Sequence, residues 1–124
     1  MAEHPNLCWR NRCYEAAVNY QVRHPEAVAV HCCVPLGERS RPIPHAWVEV
    51  ERSGRWYVVD RALGALRGSK TAKGQPLVLP RDAYYAGFGL KLSDCQRYSL
   101  RESLNHVRHK TRGYAFGPWK THCR

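Results

Sequence analysis

Hydrophobic and polar residues change period several times along the chain, and each change predicts an element. Cys13-Tyr-Glu-Ala-Ala-Val-Asn-Tyr-Gln-Val-Arg23 is built of good helix formers and runs into His24-Pro25. Proline disfavours helical geometry at the residue before it, so a helix is predicted to stop near Arg23. Ala27-Val-Ala-Val-His-Cys-Cys-Val-Pro35 is a short, nearly continuous apolar run and predicts a buried strand. Next, His45, Trp47 and Glu49 alternate with Ala46, Val48 and Val50, a period of two that predicts another strand. Arg55-Trp-Tyr-Val-Val-Asp60 predicts its partner, and Arg52-Ser-Gly-Arg55 between them has turn chemistry.

The second half is coarser. Residues 64–76, rich in Gly and Lys, predict an exposed loop at the rim of any site near Asp60. Leu77-Val-Leu79 has strand length, and Pro80-Arg-Asp-Ala-Tyr-Tyr-Ala predicts a helix with Pro80 in its first turn and Gly87 near its end. Tyr98 to Lys110 carries Leu100, Leu104 and Val107 at helical spacing, with a capping box at Ser99 and Glu102. Gly113 and Gly117-Pro118 then break the regularity. With 124 residues and no repeat, low-complexity tract or linker, one domain spanning 1–124 is expected. Its predicted class is α+β, helices packed on a small antiparallel sheet.

The strand pattern also predicts chemistry. If Ser53-Gly54 form a two-residue loop, Asp60 lies opposite Trp47 and His45 is its diagonal neighbour on the same face. A longer loop that shifts the pairing by two residues sets Asp60 directly across from His45. In both cases the backbone positions are roughly 4.5–8 Å apart, close enough for imidazole and carboxylate to meet. Cys13 sits in the first turn of its predicted helix, where free backbone N–H groups and the positive end of the dipole favour a thiolate. Those N–H groups are also suited to an oxyanion formed during acyl transfer. A thiol, an imidazole and a carboxylate in the order Cys13, His45, Asp60 are the parts of a nucleophilic triad. The plain alternative makes Cys13 a buried packing thiol, His45 a strand-edge residue and Asp60 a turn cap.

At these residues the chain resembles the transglutaminase-like branch of the papain-like cysteine enzymes. That superfamily places a Cys at a helix start, a His at the start of one strand and an Asp on the next. The stretch His45-Ala-Trp-Val-Glu-Val-Glu, then Gly54-Arg-Trp-Tyr-Val-Val-Asp60, is similar to its His–Asp segment. The likeness covers roughly residues 6–62, and it implies a papain-like core. It implies Cys13 as nucleophile, His45 as general base and acid, and Asp60 as the orienting carboxylate. No Gln precedes Cys13 at the spacing papain-type enzymes use for an oxyanion donor, so Asn6 and Asn11 are the candidate substitutes. Trp47, two residues beyond His45, is a candidate for excluding water. Members of the superfamily hydrolyse peptides, deamidate or cross-link glutamine, or transfer acyl groups, all through an acyl-thioester. A peptidase, glutamine deamidase or acyl transferase with a protein substrate and no cofactor is therefore expected.

Composition narrows this reading without replacing it. Lys and Arg number 20 against 10 acids, a net charge of +10, which suits an acidic protein or nucleic-acid partner. Arg97, Arg101, Arg108, Lys110, Arg112 and Lys120 are interleaved with Tyr98, Tyr114, Phe116 and Trp119, a mixture able to hold phosphates and stack bases. A basic binding protein with a catalytically inactive core is thus the competing expectation. Among the six cysteines, Cys8, Cys13 and Cys32, with His31 and the His106/His109 pair, offer ligands for zinc. No Cys-x2-Cys pair is present, so no metal is expected. No apolar run approaches the ~20 residues that span a bilayer, and the N-terminus lacks a basic-then-apolar build, so no membrane is expected. The protein is expected in the cytoplasm with reduced thiols, Cys32 and Cys33 serving as packing residues, unless it is an exported toxin module.

Overall fold

Five antiparallel strands in the order β4-β3-β2-β1-β5 form the framework of the computed structural model, which describes residues 12–61, 76–109, 117–121 and 123. The strands are β1 (Val28–Val34), β2 (Ile43–Arg52), β3 (Arg55–Asp60), β4 (Leu77–Pro80) and β5 (Gln96–Tyr98). Among the described residues, three α-helices accompany them: α1 (Arg12–Arg23), α2 (Arg81–Phe88) and α3 (Leu100–His109). The class is α+β, as the alternation of periods predicted. β5, only three residues long, was not predicted, and Tyr98 belongs to it rather than to the following helix.

The hairpin of β2 and β3 turns on Ser53 and Gly54, with φ of 53° and 79°. Two successive positive φ values match the strands' right-handed twist, and glycine holds the second without steric cost. The pairing runs from Arg52↔Arg55 to Val48↔Val59. Its next step sets Asp60 opposite Trp47, the register expected of a two-residue loop. β1 pairs along the other edge of β2, with Cys32 opposite His45 and Val34 opposite Ile43.

Because side chains alternate, the sheet has two apolar faces. One face, carrying Ala29, Ala46, Val48, Val50 and Val59, packs on Cys13, Tyr14 and Ala17 of α1. The other, carrying Val30, Cys32, Val34, Trp47 and Val58, packs on Tyr84 and Tyr85 of α2. α1 is held by Gln21, which is wholly buried. Its amide donates to the carbonyls of Ala27 and Tyr98, both at 3.0 Å, and its oxygen accepts from Ser103 at 2.6 Å. One side chain thereby ties α1, β5 and α3 together.

The helix ends follow local chemistry. Ser99 and Glu102 form the predicted capping box, each side chain bonding the other's backbone N–H at 3.2 and 2.8 Å. Pro80 stands just outside α2 rather than in its first turn; Gly87 lies near the helix end as expected, and Gly89, with φ 67°, terminates it. Gly117 is required by close approach. A Cβ there would lie 2.9 Å from Tyr14 Cδ1 and 3.1 Å from His31 Cε1.

One expectation is overturned. Cys33 and Cys123 form a disulfide across 90 residues, with Cα atoms 5.6 Å apart, so Cys33 is not a reduced packing residue. Alternation turns Cys33 away from the face that buries Cys32, leaving it available to the C-terminal segment. Cys13, Cys32 and Cys95 are not disulfide-bonded. Cys8, Asn6, Asn11, most of the predicted basic loop, and Lys110, Arg112, Tyr114 and Phe116 lie outside the described residues.

Candidate active site

Helix α1 opens one residue before Cys13, so the thiol stands in the turn whose backbone N–H groups lack intrahelical acceptors. His45 comes from the N-terminal part of β2, and Asp60 ends β3. The structure brings these three sequence-predicted residues together. His45 Nε2 lies 2.6 Å from Asp60 Oδ2, with both side chains fully buried. A hydrogen bond and charge interaction link Cys13 to the same imidazole. With Nε2 held by the carboxylate, Nδ1 is the ring atom left for the sulfur.

The electrostatics of the imidazole follow from this placement. Burial opposes its positive charge, but the Asp60 carboxylate and the Cys13 sulfur outweigh that penalty and push the pKa from 6.5 up to about 10. Their interaction is reciprocal: a sulfur that stabilises the imidazolium is itself stabilised as a thiolate by it. Cys13 is 1% exposed, which keeps water away from the pair. Beside it lies a cavity of about 20 Å³, room for about one water molecule. Ala16, Ala17, Tyr20, Trp47, Arg61 and Pro76 contribute to its lining.

Two residues that sequence reasoning missed support the array. Tyr84, in α2, donates its hydroxyl hydrogen to Asp60 Oδ2 at 2.6 Å, so one carboxylate oxygen accepts from both Tyr84 and His45. Glu49, two positions beyond Trp47, is a second buried carboxylate. It accepts from Trp47 Nε1 at 3.1 Å, from Tyr85 Oη at 2.5 Å and from Arg81 at 3.3 Å, while Arg97 stands 3.7 Å away. Successive tyrosines of α2 thus serve two carboxylates, one on each strand of the hairpin. The tandem Tyr84-Tyr85 was the only sequence signal, and it reads equally well as core.

Trp47 is placed as anticipated in one respect: its ring lies 5.8 Å from that of His45, centroid to centroid, anchored by the bond to Glu49. Asn6 and Asn11 lie outside the described residues. His31 is enclosed by aromatic rings. Its ring sits among Tyr14, Tyr98 and Trp119 at centroid distances of 4.6–4.8 Å. Burial, then the charges of His106 and His45, depress its pKa to about 3, so it is neutral. Among the described residues, no group of three or more His, Cys, Asp or Glu is arranged to hold a metal ion. Tyr98 is buried, and Trp119 packs on the core and stacks on His106 at 4.6 Å. Two of the four aromatics expected to stack bases are therefore engaged within the fold. Among the described residues, no helix is long and apolar enough to cross a membrane.

Comparison with protein-family models, with curated proteins and with solved structures finds no match for this chain. The functional reading therefore rests on the geometry.

Proposed function

We propose that the protein is a small cysteine enzyme with a papain-like, transglutaminase-like core that acts on an amide or ester bond through Cys13, His45 and Asp60. The observation that carries this is the 2.6 Å contact between buried His45 and Asp60, with Cys13 bonded to the same ring. A buried ion pair costs several kcal/mol of desolvation per charge, so it is a poor device for stability alone. A positive imidazole aimed at a thiol is a useful device for nucleophilic attack.

In this reading the Cys13 thiolate attacks the carbonyl carbon, and backbone N–H groups in the first turn of α1 receive the developing oxyanion. His45 passes its proton from Nδ1 to the leaving amine or alcohol, leaving an acyl-thioester on Cys13. The neutral imidazole then takes a proton from the incoming acceptor, and the thiolate departs as the acyl group is released. Asp60, fixed by Tyr84, keeps Nε2 engaged and Nδ1 directed at the sulfur throughout. Water as acceptor gives a peptidase, esterase or glutamine deamidase; an amine gives an acyl transferase. The basic surface favours an acidic protein substrate.

The test is trapping with an activated ester and reading the intact mass. A single acyl adduct on Cys13, absent from Cys13→Ala and from Asp60→Asn, supports the reading. A folded protein that forms no adduct with ester or amide probes contradicts it. The competing reading, a basic binding protein with an inactive core, requires salt-dependent nucleic-acid binding that Cys13→Ala leaves untouched. The cytoplasmic placement is tested through the Cys33–Cys123 bond: a disulfide found in protein extracted under thiol-blocking conditions would count against it and favour an oxidising compartment.

A further inference from the structure

Cys32 stands on the α2 face of the sheet, directly across β1–β2 from His45, and Cys95 lies beyond it at the β5 edge. The β1–β5 pairing runs Ala29↔Tyr98, Val30↔Arg97, His31↔Gln96, and its next step sets Cys32 opposite Cys95. Directly opposed residues of an antiparallel pair have Cα atoms about 4.5–5.5 Å apart, inside the 4.4–6.8 Å range of disulfides. That register brings the two thiols within reach of one another. Cys32 Sγ also reaches the Asp94 carbonyl at 3.5 Å, and Cys95 Sγ the Lys91 carbonyl at 3.7 Å. Cys32 is 1% exposed, whereas Cys95 is half-buried and open to a small reagent.

We propose that Cys32 and Cys95 are an oxidation site, a dithiol that closes to a disulfide by exchange with a small organic disulfide of the glutathione type. Cys95 is the attacking thiol. Its thiolate forms a mixed disulfide with one sulfur of the reagent and expels the other half as a thiolate. Cys32 then gives its proton to solvent and attacks the Cys95 sulfur, expelling the second half. The protein loses two hydrogens and two electrons, and the reagent is reduced to two thiols.

The surroundings divide the roles in the same way. The neighbouring Cys32 thiol, opposed by burial and by Glu49 but helped by Tyr85 and Arg97, lowers the pKa of Cys95. The neighbouring Cys95 sulfur, then burial and the charge of Asp94, raise that of Cys32. An accessible, acidic thiol beside a protonated resolving thiol is the arrangement that oxidises selectively. Alternation keeps this pair separate from Cys33–Cys123, since adjacent residues of β1 face opposite ways.

The experiment titrates the full chain with oxidised glutathione, then maps linkages by non-reducing digestion and mass spectrometry while circular dichroism follows the fold. The expected product has lost two hydrogens in a Cys32–Cys95 cross-link, with Cys33–Cys123 retained. Cys95→Ser should abolish the new link, and Cys32→Ser should leave glutathione trapped on Cys95. The proposal is overturned if glutathione persists on Cys95 in the unaltered chain with Cys32 still alkylatable. It is equally overturned if Cys32 links to Cys123 instead, or if Cys95 stays unmodified while the protein remains folded. Adducts on Cys13 report on the proposed active site and leave this test unaffected.

Discussion

Asp60 Oδ2 accepts two hydrogen bonds of 2.6 Å in a site closed to solvent, so both partners should be felt when that oxygen is changed. Asp60→Asn preserves shape but offers Nε2 a neutral group and the wrong tautomer, and acylation of Cys13 should slow on the order of 10⁴-fold. Tyr84→Phe should slow it less, while lowering stability by about 1–3 kcal/mol, because it removes one of the bonds that satisfy the buried carboxylate. Burst kinetics and urea denaturation separate these effects. The imidazole makes a further prediction. Its pKa is near 10 in the folded chain against 6.5 for the ordinary group, so between those values the folded state holds a proton the unfolded chain has released. The stabilisation is complete below pH 6.5 and declines as pH rises toward 10. Cys13 is a thiolate in the folded chain and a thiol in the unfolded one up to about 8.5, so the two proton counts offset each other below that pH. Urea midpoints should therefore fall chiefly between about 8.5 and 10, and less so in His45→Gln. Cys13, His45 and Asp60 were legible in the sequence because strand alternation and helix position constrain them. Tyr84 and Glu49 were not, because a contact between α2 and the hairpin depends on tertiary packing that no local period encodes.

At the scale of elements, strong local chemistry was the most readable. The Ser53-Gly54 turn set the register that puts His45 and Asp60 on one face, and Pro25 ended α1 after Arg23. The Ser99–Glu102 capping box fixed the start of α3. β5 escaped notice because three residues are too few to show a period, and it is held by pairing with β1 and by the Gln21 amide. Gly87 does lie near the end of α2, while Gly89 holds the left-handed turn that stops it, a role that only backbone angles reveal. The segment at Gly117 gives the sharpest element-level prediction. Gly117→Ala places a methyl group against the Tyr14 and His31 rings and forces a positive φ on a side chain. It should cost about 1–3 kcal/mol in urea unfolding, and near-ultraviolet circular dichroism should report the disturbed aromatic cluster.

For the whole molecule, the α+β class and an antiparallel sheet were readable, whereas the disulfide was not. Even with six cysteines, connectivity follows from which side chains the sheet turns to each face, and Cys33 and Cys123 are 90 residues apart. Closing so long a loop restrains the unfolded chain, so the double variant Cys33→Ser, Cys123→Ser should lose about 2–5 kcal/mol of stability while keeping the sheet. Thermal unfolding with and without reductant checks this: the unaltered protein should be sensitive to reductant and the double variant should not. Net charge of +10 described a partner's sign and little else. With Tyr98 and Trp119 committed to the core, that charge has fewer rings to combine with for base stacking.

The central claim is that Cys13 and His45 form an activated pair. It is tested most directly by alkylation with iodoacetamide across pH, each cysteine being resolved by peptide mass spectrometry. Cys13 should react well below the ~8.5 of an ordinary thiol, near pH 6, and His45→Ala should abolish that reactivity without unfolding the protein. A Cys13 that titrates like an ordinary thiol, or whose low-pH reactivity survives the loss of His45, would contradict the account.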